Sequence, residues 1–245
     1  MCRSRPIRTF WYKGAEFERN NFGDALAPLI VEKFLGCDAV WSEPKDAELV
    51  VIGSILGLLP PDWSGVVIGA GTIRAVDRPD LRGAKVLGVR GRQTQDASTG
   101  AADAILGDPG ILIPDIVPYS GPSDLPLVVA PHYVDDQLRD RYPDATWVDI
   151  RGPATTIAGV IAAADLVITS SLHALIAADA YGVPHIYEPH PDVLGGLWKF
   201  TDYVSAIPGA APIVPGVRRL TDRAAMQSAQ AQLRALFLHA RALLA

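Results

Sequence analysis

The most constraining feature of this chain is the alternation of short, strongly apolar runs with segments of helical periodicity along almost its whole length. The apolar runs are too short to be helices and end in glycine or other small residues, as buried strands of a parallel sheet do. Alternating strands and helices favour parallel sheets that are covered by helices. The sequence therefore predicts an α/β fold.

The alternating pattern runs through the first half of the chain, pauses, and then restarts. The pause falls at residues 113–126, which are rich in Pro, Gly and Ser and have no sustained periodicity, so we expect a linker there. We predict a first lobe over residues 1–120, a second lobe over 121–220, and a C-terminal helix over 221–245 that packs on a lobe. Predicted strands cover residues 8–12, 49–52, 66–68, 86–89, 127–130, 146–149, 166–169 and 185–187, and predicted helices cover 24–35, 135–141, 155–164, 171–181 and 221–244.

Charge and hydropathy exclude several classes of partner. The formal net charge of -5 leaves no basic excess for a nucleic-acid backbone. The N-terminus lacks the apolar core of a signal peptide, and the most apolar stretch, residues 47–59, is shorter than the ~20 residues of a membrane span. We therefore expect a cytoplasmic protein without a transmembrane segment, which meets a membrane only through a peripheral contact or a lipid-linked substrate.

The strongest local signal is the apolar run that begins at Leu166 and passes through Thr-Ser-Ser-Leu-His directly into a helix. Ser170 is the expected N-cap. The first helical turn offers unpaired N–H groups and the positive end of the helix dipole, so it suits a phosphate or carboxylate. His173 falls within that turn, beside any such anion. The alternative is that the hydroxyl residues only cap the helix and that His173 is a tolerated polar residue.

Other polar residues are expected at the same edge of the two sheets. Asn21 and Asp24 stand where a helix begins, and each is a candidate cap. Arg90 and Arg92 follow a buried strand, and guanidinium groups suit forked binding of phosphate or carboxylate. His132 closes another predicted strand. Simple capping and a solvated pair of arginines are the alternatives. Because ligands bind at the carboxyl ends of parallel strands, we expect a site in the cleft between the lobes.

Several common sites lack support in the sequence. The Gly-Ala-Gly-Thr stretch at residues 69–72 lacks the spacing of a dinucleotide fingerprint. The histidines and the two cysteines show no metal-ligand spacing, so we predict no metal. Neither Ser170 nor Ser171 stands in the G-x-S-x-G pattern of a serine hydrolase.

The order of motifs resembles the polysaccharide pyruvyl transferase family, in particular its short bacterial members. The resemblance spans about residues 20–203 and implies two Rossmann-like lobes similar to GT-B glycosyltransferases. It also implies phosphoenolpyruvate as donor and a pair of sugar hydroxyls as acceptor, on an exopolysaccharide or a lipid-linked oligosaccharide, with no cofactor. It is carried by NNFGDALAPLIVEKFLG, GAGT, VRGRQT, GDPGIL, TSSLHALIAADAYGVPHIYEP and WKFTDY.

One position departs from the family pattern. Many members carry arginine directly before the Leu-His pair, where this chain has Ser171. Other groups must then hold the donor anion, and Arg90, Arg92 and Lys199 are the candidates. His173 is the expected general acid. The predicted substrate-binding residues are Arg90, Arg92, Ser170, Ser171, Asn21, Asp24, His132 and Lys199.

Two other functions remain open at this point. A GT-B glycosyltransferase that uses a nucleotide sugar would share the architecture, and Glu188 could then reach a ribose. A catalytically silent protein that binds acidic sugars is the other alternative, favoured by the Ser171 departure.

Overall fold

A computed structural model describes residues 5–13 and 21–244. Its first sheet has six parallel strands in the spatial order β2-β1-β3-β4-β5-β6. The chain passes from β1 to β2 on one side and then returns to place β3 on the other side of β1. The strands are β1 (Ile7–Thr9), β2 (Ala39–Trp41), β3 (Leu49–Val50), β4 (Val66–Ile68), β5 (Lys85–Val89) and β6 (Ile105–Leu106).

The second sheet repeats this change of direction. Its spatial order is β11-β10-β9-β7-β8, and its strands are parallel except for the antiparallel edge strand β11. The direction changes between β7 and β9, as it does between β1 and β3 in the first sheet. The strands are β7 (Val128–Val129), β8 (Thr146–Trp147), β9 (Val167–Thr169), β10 (His185–Tyr187) and β11 (Arg218–Arg219).

Helices connect the strands and cover the sheets. The first helix continues into a π-helical turn, Val31–Leu35, and ends at Gly36, whose φ of 70° is accessible to glycine at little cost. Short 3₁₀ turns cover Pro44–Asp46, Leu56–Leu58 and Pro109–Leu112. The α-helices are α1 (Phe22–Ile30), α2 (Arg92–Ala97), α3 (Ile113–Ile116), α4 (Gln137–Arg141), α5 (Ala154–Ala162), α6 (Leu172–Tyr181), α7 (Gly196–Val204) and α8 (Arg223–Leu244).

The predicted α/β class, with two lobes that are each built on a largely parallel sheet, is confirmed. Each predicted strand and helix overlaps an observed one, although the first strand runs from Ile7 to Thr9 and does not extend to Tyr12. The expected linker over residues 113–126 was partly wrong, because its first residues form helix α3. Helices α2 and α7 and the short strands β2, β6 and β11 were not predicted.

One apolar core runs through both lobes. Phe22 and Leu26 of α1 belong to the same buried cluster as Leu175 of α6 and Leu233 of α8. Helix α8 follows the second sheet in sequence but packs against β5 and against the π-helical turn that follows α1. The lobes are therefore joined by a shared core as well as by the connecting chain.

No helix within residues 5–13 and 21–244 combines the length and the apolar character that crossing a membrane requires.

Candidate functional site

A cavity of about 340 Å³ lies between the two lobes. In the first sheet the strand order changes direction between β1 and β3, and in the second sheet between β7 and β9. The segments that follow these four strands line the cavity. Open parallel sheets bind ligands at such positions. Tyr12 follows β1 and residues 53–55 follow β3, while residues 132–134 follow β7 and residues 171–173 follow β9. The topology itself therefore builds this site.

Other segments complete the cavity wall. Asn21 and Asp24 come from the start of α1, and Lys199 comes from α7. Ile73, Arg74 and Asp77 come from the loop after β4. Of the predicted site residues, the cavity brings together Asn21, Asp24, His132, Ser171, His173 and Lys199.

The start of α6 differs from the prediction at its cap. Ser171, not Ser170, is the N-cap residue, and its side chain makes no capping hydrogen bond. The Thr169 hydroxyl instead accepts a hydrogen bond from the Ser171 N–H at 2.9 Å. The first-turn N–H groups of α6 therefore remain open to a ligand with negative charge.

Ser170 supports the segment that carries His132, on the opposite wall of the cavity. Its hydroxyl donates to Asp135 Oδ2 at 2.6 Å and accepts from the His132 N–H at 2.9 Å. Because its hydroxyl is directed at these two groups and Ser171 occupies the N-cap position, Ser170 does not cap α6. It is fully buried and holds the turn that carries His132.

His173 lies in the first turn of α6 with only 7% of its surface exposed. Its Nε2 is 3.7 Å from Asp108 Oδ2, at the end of the first sheet. On the other side of the ring is Gly23, where a Cβ atom would lie 1.9 Å from His173 Nδ1. Gly23 therefore has to be glycine for the imidazole to occupy this position.

Asp24 and Asn21 form a polar pair beside His173. Asn21 has the backbone position of the N-cap of α1, but its side chain makes no capping bond and instead donates to Asp24 Oδ2 at 3.0 Å. Burial raises the pKa of Asp24 from 3.8 to about 6, although His173, Asn21 and Lys199 each favour the carboxylate. Asn20 lies outside the described residues.

Lys199 provides a buried cation at the cavity. Its side chain is only 6% exposed, and no residue of the described ranges forms a salt bridge or hydrogen bond with it. Burial lowers its pKa from 10.5 to about 8; Arg90 lowers it further and Asp24 opposes the change. A charged group held in this way favours an anionic ligand, because the ligand would supply the missing partner.

His132 faces the cavity as a neutral imidazole at physiological pH. Burial, together with the charges of Lys199 and His190, lowers its pKa from 6.5 to about 4. Its Nδ1 is buried without a hydrogen-bond partner in the described part of the chain. The ring can therefore donate to or accept from a neutral polar ligand.

The two predicted arginines lie away from the cavity lining. Arg90 is fully buried, and its guanidinium donates to Asp202 Oδ2 at 2.8 Å, to Ser54 Oγ at 2.5 Å and to the Thr72 carbonyl. Arg92 is exposed on α2 and bonds Gln95. Their assignment to donor binding stays a prediction, and only Arg90 reaches a residue, Ser54, that lines the cavity.

Sequence reasoning missed several contributors to the site. Asp108 stands at the carboxyl end of β6, in a motif that was used only for the resemblance, and this position is the signal that could have identified it. Gly53 and Ser54 follow β3 in the same way and line the cavity. Among the described residues, no group of three or more His, Cys, Asp and Glu side chains could hold a metal ion.

The fold and cavity thus define a two-lobed α/β protein with an anion-compatible site between its lobes. Residues 77–190 match the model of the polysaccharide pyruvyl transferase family. The resemblance predicted from the sequence is therefore confirmed. The matched region includes His132, Ser171 and His173, and it ends before Lys199.

The chain is also similar to a curated protein of polysaccharide biosynthesis. The succinoglycan biosynthesis protein ExoV of Rhizobium meliloti (strain 1021) is 29% identical over 182 residues, which are 69% of this chain and 56% of that protein. The chain thus spans little more than half the length of this relative.

Two solved structures show only distant likeness. The protein KP1_0663 from Klebsiella pneumoniae aligns over 76% of this chain and 85% of its own, with 14% identity and a TM-score of 0.38. The glycosyltransferase SnogD from Streptomyces nogalater aligns over 91% of this chain and 77% of its own, with 16% identity and a TM-score of 0.30. Neither score supports an assignment.

Proposed function

We propose that this chain transfers pyruvate from phosphoenolpyruvate, as a ketal, onto a sugar of an exopolysaccharide or a lipid-linked oligosaccharide intermediate. The family match supports pyruvyl transfer. The observation that carries the proposal is the juxtaposition, on one cavity, of Lys199, the uncapped start of α6 and His173. Phosphoenolpyruvate combines a phosphate and a carboxylate, and these groups match a buried cation and a helix N-terminus.

The proposed chemistry needs one proton to start. His173 donates a proton to C3 of the enol, which leaves an oxocarbenium-like centre at C2. A sugar hydroxyl attacks C2, the bond from C2 to the phosphate oxygen breaks, and a second hydroxyl closes the ketal. The two hydroxyl protons leave, one returning to His173 and one going to the released phosphate. Positioned acid catalysis contributes roughly 10²–10⁴-fold to such a rate.

His132 suits the acceptor side of this reaction. A neutral imidazole can accept a hydrogen bond from a sugar hydroxyl, which the protonated form cannot do. The pKa of about 4 keeps His132 neutral across the physiological range. We therefore assign His132 to acceptor binding and Lys199 to donor binding.

The first test is ligand-dependent melting, since a ligand that binds only the native state must raise the melting temperature. Phosphoenolpyruvate is compared with phosphate, pyruvate and UDP at matched concentration. We expect a shift that phosphate and pyruvate do not reproduce. A shift with UDP alone would instead support the glycosyltransferase alternative. In the structure Glu188 accepts a hydrogen bond from Arg141 at 3.1 Å and is not among the cavity residues, so no contact favours that alternative.

The second test is phosphate release from phosphoenolpyruvate with candidate saccharides. His173→Gln should lower turnover by roughly 10²–10⁴-fold. The concentration of phosphoenolpyruvate that is needed for a given rise in melting temperature should change by no more than a few-fold. His239→Gln is the matched control, because His239 is exposed on α8 far from the cavity residues. Equal turnover in both variants would remove His173 from the reaction.

A further inference from the structure

A buried carboxylate of the first lobe faces the buried imidazole of His173, which lines the cavity. Asp108 Oδ2 and His173 Nε2 are 3.7 Å apart, and both side chains are almost fully buried. Within the described residues, neither atom has a hydrogen-bond partner. Catalytic hydrogen bonds are often long before a ligand is bound, so this separation is compatible with a direct bond in the occupied site.

The orientation of Asp108 is fixed by its second oxygen. Oδ1 accepts a hydrogen bond from the Gly110 N–H at 2.9 Å and so caps the 3₁₀ turn Pro109–Leu112. That turn packs against α6, since a Cβ atom on Gly110 would lie 3.0 Å from Ile176 Cγ2 and 3.5 Å from His173 Cδ2. With Oδ1 engaged by the turn, Oδ2 is the oxygen that faces the imidazole.

The carboxylate has no other charged partner. Among residues 5–13 and 21–244, His173 is the only side chain within salt-bridge distance of Asp108. A buried carboxylate without a partner is costly, so its presence here favours a proton on the facing nitrogen of His173. Nδ1 is then the ring nitrogen left for a ligand, because His173 lines the cavity.

We infer that Asp108 is a positioning residue that keeps the hydrogen on Nε2 of His173, so that Nδ1 exchanges the proton with the ligand. As a statement about proton transfer to phosphoenolpyruvate, this inference rests on the proposed function. In this way a carboxylate of the first lobe prepares an acid carried by the second.

The direct test is the tautomer of His173, observed by ¹⁵N-histidine NMR in the full-length protein, with His173→Gln to assign the signal. Above the pH at which the ring loses its charge, the original protein should show the Nε2–H form alone. Asp108→Asn should show a mixture of the two tautomers, because the amide can donate as well as accept. The same tautomer in both proteins would overturn the inference, and this readout does not depend on activity.

Measurement of turnover is the second test of this inference. Asp108→Asn should lower kcat by at least about 10²-fold, as loss of an orienting carboxylate does elsewhere, with the phosphoenolpyruvate melting shift retained. Asp103→Asn, at an exposed position before β6, is the matched control and should change neither readout. Unchanged kcat in Asp108→Asn would overturn the positioning role of Asp108.

If Asp108→Asn folds poorly, Asp108→Ser is the second variant, because serine retains a capping oxygen without the carboxylate. If the original protein shows the Nε2–H tautomer but no turnover of phosphoenolpyruvate, the proposed function fails and the positioning role stands.

Discussion

At the scale of single residues, the carboxyl group of Asp24 is buried at a cost to stability. Its pKa is raised from 3.8 to about 6, so the native state holds the proton more tightly than the unfolded chain does. The contribution of Asp24 to stability is therefore greatest below about pH 4 and is lost as the pH rises through about 6. A shift of this size corresponds to roughly 3 kcal/mol at most.

Asp24→Asn should therefore raise the free energy of unfolding at pH 7.5 by about 1–3 kcal/mol, because the amide is not charged when buried. Urea denaturation at pH 7.5 measures this, and the gain should shrink towards pH 4. Asp38→Asn, at an exposed site, is the control and should stay within about 0.5 kcal/mol of the original. A less stable Asp24→Asn would mean that the ionised carboxylate is held more strongly by Lys199 and His173 than its burial costs.

Some site residues could be predicted from the sequence and others could not. His173, Asn21 and Asp24 were found because each lies where a strand or loop passes into a helix, which is a local signal. The burial of Arg90 could not be foreseen, because its partner Asp202 lies 112 positions away in a helix that the sequence did not reveal. The pairing of Asp108 with His173 is of the same kind, since it forms only when the two lobes meet.

At the scale of elements, the cavity depends on how closely α1 approaches α6. Gly23→Ala would place a Cβ atom 1.9 Å from His173 Nδ1, so either the imidazole or the start of α1 must move. We expect a loss of about 1–3 kcal/mol in stability and a large loss of turnover, measured by urea denaturation and phosphate release.

Gly159 is the matched control for this substitution. It lies inside α5, and a Cβ atom there would have no neighbour within 4 Å. Gly159→Ala should leave turnover unchanged and stabilise the protein by about 0.5–1 kcal/mol, since alanine is the better helix former. Normal turnover in Gly23→Ala would show that the contact between α1 and His173 is not needed.

Elements were predicted best where burial produces a continuous apolar run. The runs at β4 and β10 were located at their observed bounds, since these strands carry their own signal. Helix α7 was missed because it begins at two glycines with positive φ, Gly195 and Gly196, and mixes polar with aromatic residues. Its position is set by contacts with the first lobe, such as the ion pair of Asp202 with Arg90.

At the scale of the whole molecule, a buried ion pair joins α7 to the first lobe. Asp202 of α7 accepts hydrogen bonds from Arg90 Nε at 2.8 Å and from Thr94 Oγ1 at 2.6 Å, and both charged side chains are fully buried. The backbones are equally close, because a Cβ atom on Gly91 would lie 1.8 Å from the Asp202 carbonyl oxygen. Since α7 also carries Lys199, this pair fixes a cavity cation to the other lobe.

Asp202→Asn should lower the free energy of unfolding by about 3–5 kcal/mol, because it leaves the Arg90 charge buried without a counter-ion. Thermal or urea denaturation measures the loss. Asp115→Asn breaks the half-exposed pair of Asp115 with Arg234 and should cost no more than about 1 kcal/mol. Similar small losses in the two variants would show that water or another group compensates the Arg90 charge.

The packing of α8 also has a consequence for the order of events during biosynthesis. Leu233 and Leu236 of α8 lie against Gly107 and Gly88 of the first lobe, although the ribosome adds them after the whole of the second sheet. The first sheet therefore keeps an apolar face uncovered until α8 has been synthesised. The first lobe is therefore complete only when α8 has been synthesised, and a nascent chain that stalls before residue 223 should be a substrate for chaperones that recognise exposed apolar surface.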